Sequence, residues 1–423
     1  LITYVMVTRN RAERLGNTLA ALGELPAHEA EVVVVDNGSL ERRVLGRRLR
    51  NGIGVRSVSL GWNAGAAGRT AGVEASDASR PWIVMLDDDS VPVDDAFARV
   101  LGGSGGSGGS GGVPSDVGAV AAEVWVGPRM KPRRERGGLP EVFVGCGVAI
   151  RREVYLGLGG YDASMGTFGE EADLSARMIG AGMRVAYEPR LRVVHARERE
   201  MRSAATMLHN QVRNAGWVVE RYAPDEERFA ARRESRRQWR LAAERAGAAG
   251  DAGHAGHAGH AAHAGLAAHR RGLMELWRTR AEQRRTPLTR ARWDRLTGLS
   301  AAREAIAAAQ REARFSSAMV VEPGVNAWAV AQALEEWGVR LTVPGETAEV
   351  RVIGTMSPGP MLDAYERCVA APSRRGPSVT RVVMPWLGAI DGTLEERFVG
   401  QGAIEARHDV ARTGQVHRAA RAA

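Results

Sequence analysis

Short β-branched runs at Tyr4 to Val7, Glu31 to Val35 and Trp82 to Leu86 alternate with helical patterns at Arg11 to Leu22 and Gly65 to Ala78. This β-α-β-α-β rhythm confines the chain to a mostly parallel sheet covered by helices, because parallel neighbours need long crossover connections. Ligands of such sheets bind beyond the carboxyl ends of the strands. The residues that terminate the strands are therefore where chemistry is expected.

Those termini are polar in an unusual way. The apolar run Trp82 to Leu86 stops at Asp87, Asp88 and Asp89. Three adjacent carboxylates at a sheet edge repel one another unless a cation or solvent compensates them. Alternation along an extended chain puts Asp87 and Asp89 on one side, where the pair can hold a divalent ion that bridges diphosphate oxygens. The competing reading is a solvated acidic turn that caps the next helix. Asp36 ends the earlier run Val32 to Val35, and Thr8, Arg9, Asn10 and Arg11 follow the first. Asn63 to Gly72 is a glycine-rich turn that enters a helix with Arg69, a suitable setting for a phosphate.

A second set lies downstream. Gly145 to Val154, the turn Gly159, Gly160, Tyr161 and Asp162, the acidic stretch Phe168 to Leu174 and the run Val185 to His195 follow in order. Together with Thr8 to Arg11, Val35 to Ser39, Asn63 to Gly72 and Asp87 to Asp89, they resemble a family 2 glycosyltransferase of the GT-A fold over residues 1–220. Thr70 stands where that family often has Asn. The resemblance implies a mixed α/β domain with a mostly parallel sheet and an inverting, metal-assisted single displacement from a nucleotide-diphosphate sugar. It implies that Asp36 contacts the nucleobase and that Thr8, Asn10, Arg11, Asn63, Gly65, Arg69, Asp87 and Asp88 bind the nucleotide sugar. It also implies that Asp89, with Asp87 and His195, holds Mn²⁺ or Mg²⁺. Glu171 aligns with the general base, which is usually Asp in the family, with Glu170 and Asp173 as neighbouring alternatives. Charge at a helix start is the structural reading of those two. Asn214 resembles the residue of an R-N segment in bacterial members. Trp125 and Trp217 are candidates for an acceptor platform, against a default of core packing.

The remaining chain is less specific. Residues 102–112 read GGSGGSGGSGG, a flexible linker without chemistry and of engineered regularity. Residues 221–314 read as a helical extension, and within them His254, His257, His260 and His263 recur three apart. The spacing suits a metal, but no carboxylate or thiol joins the tract, and a solvated repeat is the favoured reading. Residues 315–400 form a small Rossmann-like pattern. Its strands are expected at Ala318 to Val321, Val339 to Val343, Val350 to Gly354 and Thr380 to Met384, and its helices at Asn326 to Trp337 and Pro360 to Val369. The turn Glu322 to Ala327 lacks G-x-G-x-x-G, and Asn326, Asp363 and Trp386 receive no role. Residues 401–423 read as a poorly ordered tail.

Composition narrows the partners. The charge is +9, yet Lys131 is the only lysine, so the basic balance reflects arginine usage of the kind a GC-rich genome gives. The arginines are interleaved with Glu and Ala, which argues against nucleic acid. Cys146 and Cys368 are the only cysteines, which excludes a disulfide framework or a cysteine-based zinc site and fits a reducing cytoplasm. The Arg-rich stretch 228–245 offers peripheral contact with an inner membrane face, against a solvated face as the default. The chain opens on Leu1, directly in a strand pattern, so its start reads as lacking earlier residues, a targeting segment among them. The expected acceptor is a glycan, a lipid-linked compound or another hydroxyl compound, as in bacterial cell-envelope polysaccharide. A sugar-1-phosphate nucleotidyltransferase would open with a G-x-G-x-R loop after the first strand, which Val7 to Arg11 does not supply. A degenerate scaffold would lack the acidic residues, but Asp87, Asp89, Glu171 and His195 are present.

Overall fold

The computed structural model describes residues 1–41, 46–103, 112–127, 132–196, 204–249, 258–343, 345–370 and 381–386. The inner Gly/Ser run and the tail fall outside them, as do His254 and His257. In chain order the first half contains β1 (Ile2–Thr8), α1 (Ala12–Gly23), β2 (Ala30–Asn37), β3 (Gly54–Leu60), α2 (Gly68–Ala75), β4 (Trp82–Asp87), β5 (Ser90–Pro92) and α3 (Ala96–Leu101). It continues with β6 (Val117–Val126), β7 (Arg133–Arg134), β8 (Val148–Arg151), α4 (Arg152–Gly157), α5 (Glu170–Gly180) and β9 (Arg184–His195).

These strands form one sheet in the order β3-β2-β1-β4-β8-β6-β9-β5, with β7 paired to β6. Strands β1 to β4 are mutually parallel, β8 runs against β4 and β6, and β9 is parallel to β6. The fold is therefore mixed α/β with a mostly parallel sheet, as expected. Register does the positioning. Thr8 pairs with Asp36 and Val7 with Asp87, so three strands end level. The short β5 then turns back and pairs Ser90 with His195, which brings the last residue of β9 to the acidic turn.

Side-chain alternation divides the core. Ile2, Tyr4 and Met6 face Leu15, Leu19 and Leu22 of α1 and Phe97 of α3. Val5, Val33 and Met85 face the opposite side, with Val73 of α2 and Leu174 and Met178 of α5. Strand β3 was not legible in the sequence, because Arg56, Ser57 and Ser59 break its apolar pattern, and it occupies the sheet edge where such residues meet solvent. The helix expected at Gly65 to Ala78 is shorter and begins with a 3-10 turn at Gly65–Ala67.

Three helices follow, α6 (Ala204–Tyr222), α7 (Arg228–Ala249) and α8 (Ala258–Thr279), then α9 (Arg290–Thr297) and α10 (Leu299–Glu312). The backbones of His260 and His263 lie in α8. The C-terminal part has β10 (Ser317–Val321), α11 (Ala327–Glu336), β11 (Arg340–Leu341), β12 (Val350–Ile353), α12 (Pro358–Ala370) and β13 (Arg381–Val383). Its strands are all parallel, in the order β11-β10-β12-β13. This small sheet shares an apolar core with the large one, and Tyr187 meets Trp386 edge-on at 5.7 Å. Arg134, stacked on Trp125 at 4.4 Å, joins the two parts through Glu123 at 2.6 Å, Asp363 at 2.8 Å and Glu366 at 2.8 Å. Asp363 and Trp386 thus make contacts between sheets, and Asn326 donates to the Thr297 carbonyl at 2.8 Å.

Helix α2 approaches the sheet closely because Gly72 has no side chain. A Cβ there would stand 2.7 Å from Val35 Cγ2 and 2.8 Å from Val5 Cγ1. We expect Gly72→Val to lower stability by about 1–3 kcal/mol through overpacking, read as a reduced denaturation midpoint. An unchanged midpoint would mean that α2 does not rest on β1 and β2 as described.

Candidate functional site

The ends of β1, β2 and β4 form the floor of the site. Asp88, in the middle of the acidic turn, points inward: Thr8 Oγ1 donates to its Oδ2 at 2.8 Å, and Thr18 Oγ1 donates to its carbonyl at 2.7 Å. Arg11 closes this knot by pairing with Asp88 and, at 2.5 Å, with Asp89 Oδ2. Burial pushes Asp88 up to about 6, although Arg11 and Thr8 pull against it. Burial works the same way on Asp89, but His195 and Arg11 outweigh it and hold that carboxylate down at about 2. Thr8, Arg11 and Asp88 are thus bonded to one another, while Asp87 stays half-exposed beside Arg69, which pairs with it.

His195 arrives from β9. Its Nε2 lies 3.2 Å from Asp89 Oδ1 and 3.7 Å from Asp87 Oδ2. Its Nδ1 lies 3.4 Å from both Glu135 Oε2 and Cys146 Sγ. Burial alone would lower the imidazole pKa, yet Cys146, Asp89 and Glu135 raise it above the usual value. Burial also pushes the Cys146 thiol up. Asp89 Oδ1 is buried, with His195 Nε2 at 3.2 Å as its close polar neighbour. Single ligand atoms of Asp87, Cys146 and His195 lie within 4.8 Å of one another. Asp89 stands outside that group, with its Oδ1 against the same imidazole; the carboxylate and imidazole donors suit Mn²⁺ or Mg²⁺, while the thiol is a softer donor. Cys146 and Glu135 were not singled out as site residues in the sequence. Cys146 sits in an apolar strand approach, and Glu135 follows β7 in a segment without any motif.

The β2 side of the floor is tied by amides. Asn37, also not singled out, donates to Asn63 Oδ1 and to the Gly65 carbonyl, both at 3.0 Å, and accepts from Ala64 N at 2.8 Å. Gly65 has φ +60, and a Cβ there would stand 2.4 Å from the Gly166 carbonyl oxygen. Asn10 links the β1 and β2 ends, accepting from Leu40 N at 2.9 Å, while Asp36 accepts from Ser39 N at 2.9 Å. Beside them opens a groove of about 410 Å³ lined by Trp62, Asn63, Gly65, Gly166, Thr167 and Asn210 among others.

The opposite wall is the start of α5. Glu171 reaches over Gly145, where a Cβ would stand 2.9 Å from its Oε1, so that glycine leaves room for the carboxylate. Burial raises the pKa of both Glu170 and Glu171, and for Glu170 the neighbouring Glu171 adds to the effect. Asp173 is spent on Tyr222 at 2.7 Å, Arg221 at 2.8 Å and Arg177 at 2.8 Å. The loop before α5 carries positive φ at Phe168 (69°) and Gly169 (92°). Asn214, fully buried in α6, holds it by donating from Nδ2 to the carbonyls of Met165 (2.8 Å), Thr167 (3.3 Å) and Phe168 (2.5 Å). Trp217 is buried in the helical core and donates to Thr279 Oγ1 at 2.9 Å.

Residues 3–104 match the sequence model of the family described as Glycosyl transferase family 2. No curated protein matches the chain. Among solved structures, GalNAc-T7 with UDP, GalNAc and Mn²⁺ is 19% identical over 55% of this chain and 50% of that one, with a TM-score of 0.41. S. aureus TarS 1–349 in complex with UDP-GlcNAc is 12% identical over 57% of this chain and 72% of that one, with a TM-score of 0.39. S. aureus TarS 1–349 alone gives 12%, 57% and 72%, with a TM-score of 0.37. The chain thus spans about half the length of the GalNAc-T7 chain that it resembles.

Removing the Asn214 amide leaves buried carbonyls without a donor, a loss of about 1–3 kcal/mol. We expect Asn214→Ala to lower the denaturation midpoint accordingly and to speed proteolysis between Met165 and Gly169. Wild-type stability and cleavage would contradict the loop anchor.

Proposed function

We propose that this chain, whose residues 3–104 are a glycosyl transferase family 2 segment, moves a sugar from a nucleotide-diphosphate donor to an acceptor hydroxyl with inversion at the anomeric carbon. The observation that carries the reading is the approach of Asp87 Oδ2 and Asp89 Oδ1 to His195 Nε2, at 3.7 and 3.2 Å, at the sheet's carboxyl edge. Asp87, Asp89 and His195 would hold a divalent cation, Mn²⁺ or Mg²⁺, which when bound supplies positive charge for the diphosphate that leaves.

The remaining work falls to the chain's own groups. Asp36, at the end of β2, accepts from the nucleobase edge, with Asn10 and Asn63 shaping the loops around it. Arg69, paired with Asp87, fixes that carboxylate toward the donor. Thr8 and Arg11 act through Asp88 and Asp89, whose turn they hold rigid. Glu171 takes the proton from the acceptor oxygen as that oxygen attacks the anomeric carbon and the bond to the diphosphate oxygen breaks. Its raised pKa suits this role, because a base nearer neutrality accepts a proton more effectively in the transition state. The three structural partners of Asp173 weigh against it as the base, so Glu170 is the nearer alternative.

The test compares Glu171→Gln with Glu170→Gln, following sugar release or transfer from a panel of nucleoside-diphosphate sugars with Mn²⁺. Loss of general-base catalysis is worth about 10²–10⁴-fold in kcat. We expect that loss for Glu171→Gln, with donor KM changed little. A larger loss for Glu170→Gln would reassign the base, and wild-type turnover in both variants would remove general-base catalysis by α5.

A further inference from the structure

Helices α7 and α8 run antiparallel. Arg232 and Arg280 line one end of a cavity of about 120 Å³ among α6, α7 and α8, while Gly265 lies against the Ala243 carbonyl farther along. On α8, Arg270, Met274 and Trp277 fall at i, i+4 and i+7, on one face. Met274 is 65% and Trp277 67% exposed. On α7, Phe229, Arg233 and Arg236 repeat that spacing, and Phe229 is 76% exposed. Arg236 and Trp277 both line the cavity, so the two stripes meet there.

Arginines outnumber the carboxylates left to pair with them on this face, where Glu282 is exposed beside Arg278 and Arg280. Glu234 is spent on Arg237, Glu244 on Arg240, and Glu275 on His209 and Arg213. Arg233 acts on Glu234 at longer range, and Arg236, Arg270, Arg271, Arg278 and Arg280 make no close ion pair among the described residues. A solvated helix pair needs no exposed Trp, Met and Phe on such stripes; protein interfaces favour the same residues together with Arg, but a second copy of this face would set arginine against arginine, whereas lipid phosphates complement it. Large apolar side chains interleaved with unpaired arginines are instead the composition of an interfacial helix, whose apolar groups enter the headgroup boundary while cations meet lipid phosphates. No helix among the described residues is long and apolar enough to cross a membrane, so contact of this kind is peripheral.

We propose that the α7–α8 face docks on an anionic lipid bilayer, with Phe229, Met274 and Trp277 entering its headgroup layer and the arginines pairing with lipid phosphates. This inference is independent of the transfer reaction. It is tested by co-sedimentation of the full chain with vesicles of phosphatidylcholine alone or mixed with phosphatidylglycerol. We expect at least a ten-fold preference for the anionic vesicles, weakened by salt. Each arginine at such a surface is worth roughly five-fold in partition, so R270Q/R278Q is expected to lose about 25-fold. M274S/W277S is expected to lose about ten-fold or more, as its apolar groups no longer enter the headgroup layer. All four positions are at the surface, and unchanged thermal melts verify folding. Equal binding to both vesicles, binding to neither, or wild-type partition of both variants would overturn the proposal. A dimer in sedimentation velocity that M274S/W277S converts to monomer, without vesicle binding, would assign the face to a second copy and overturn it too.

Discussion

The structure depends on how three adjacent carboxylates are accommodated at one sheet edge. Burying an unpaired carboxylate is expensive, and each of these has a different answer. Asp88 turns inward to Thr8 and Arg11, Asp89 is shared between Arg11 and His195, and Asp87 stays half-exposed against Arg69. The register of β1 with β2 and β4, and the return of β5 onto β9, bring these partners together from positions far apart in sequence. A knot of this kind holds Asp87 and Asp89 in fixed orientation before any ligand arrives, as the proposed electrostatic stabilisation of a leaving diphosphate requires.

Much of the sheet was legible because strand cores such as Tyr4 to Val7 and Val32 to Val35 are continuous apolar runs, which fully buried parallel strands need. Strand β3 was not, since an edge strand tolerates Arg56 and Ser59. Among the side chains proposed to be functional, those at strand and helix ends carry a local signal: Asp36, Asp87, Asp89 and the α5 carboxylates all mark transitions in texture. Asp88 reads in sequence as one more nucleotide-sugar contact in the acidic turn, and only the tertiary arrangement assigns its carboxylate to Thr8 and Arg11. Glu135, Cys146 and Asn37 gave no signal, because their importance comes from neighbours about 60, 49 and 26 residues away in the chain, a separation at which no periodicity operates.

The C-terminal sheet bears on the same edge. Helix α12 holds Arg134 through Asp363 and Glu366, and the next residue, Glu135, carries the carboxylate that faces His195 Nδ1 at 3.4 Å. Groups behind a metal-binding imidazole fix its orientation, and under the proposed metal role of His195 the appended sheet would support the wall from which it is aimed. The same C-terminal elements close over the apolar face of the large sheet, so what reads in sequence as an added unit is packed as a continuation of one core.

The account rests on the acidic edge as a metal-dependent nucleotide site, and calorimetric titration tests it most directly. A panel of nucleoside diphosphates would be titrated into wild type and Asp89→Ala, with and without Mn²⁺. The account predicts that one nucleotide binds wild type only with the metal and that the substitution abolishes this binding. Binding that is indifferent to Mn²⁺ and to Asp89, or no nucleotide binding by folded wild type, would contradict it.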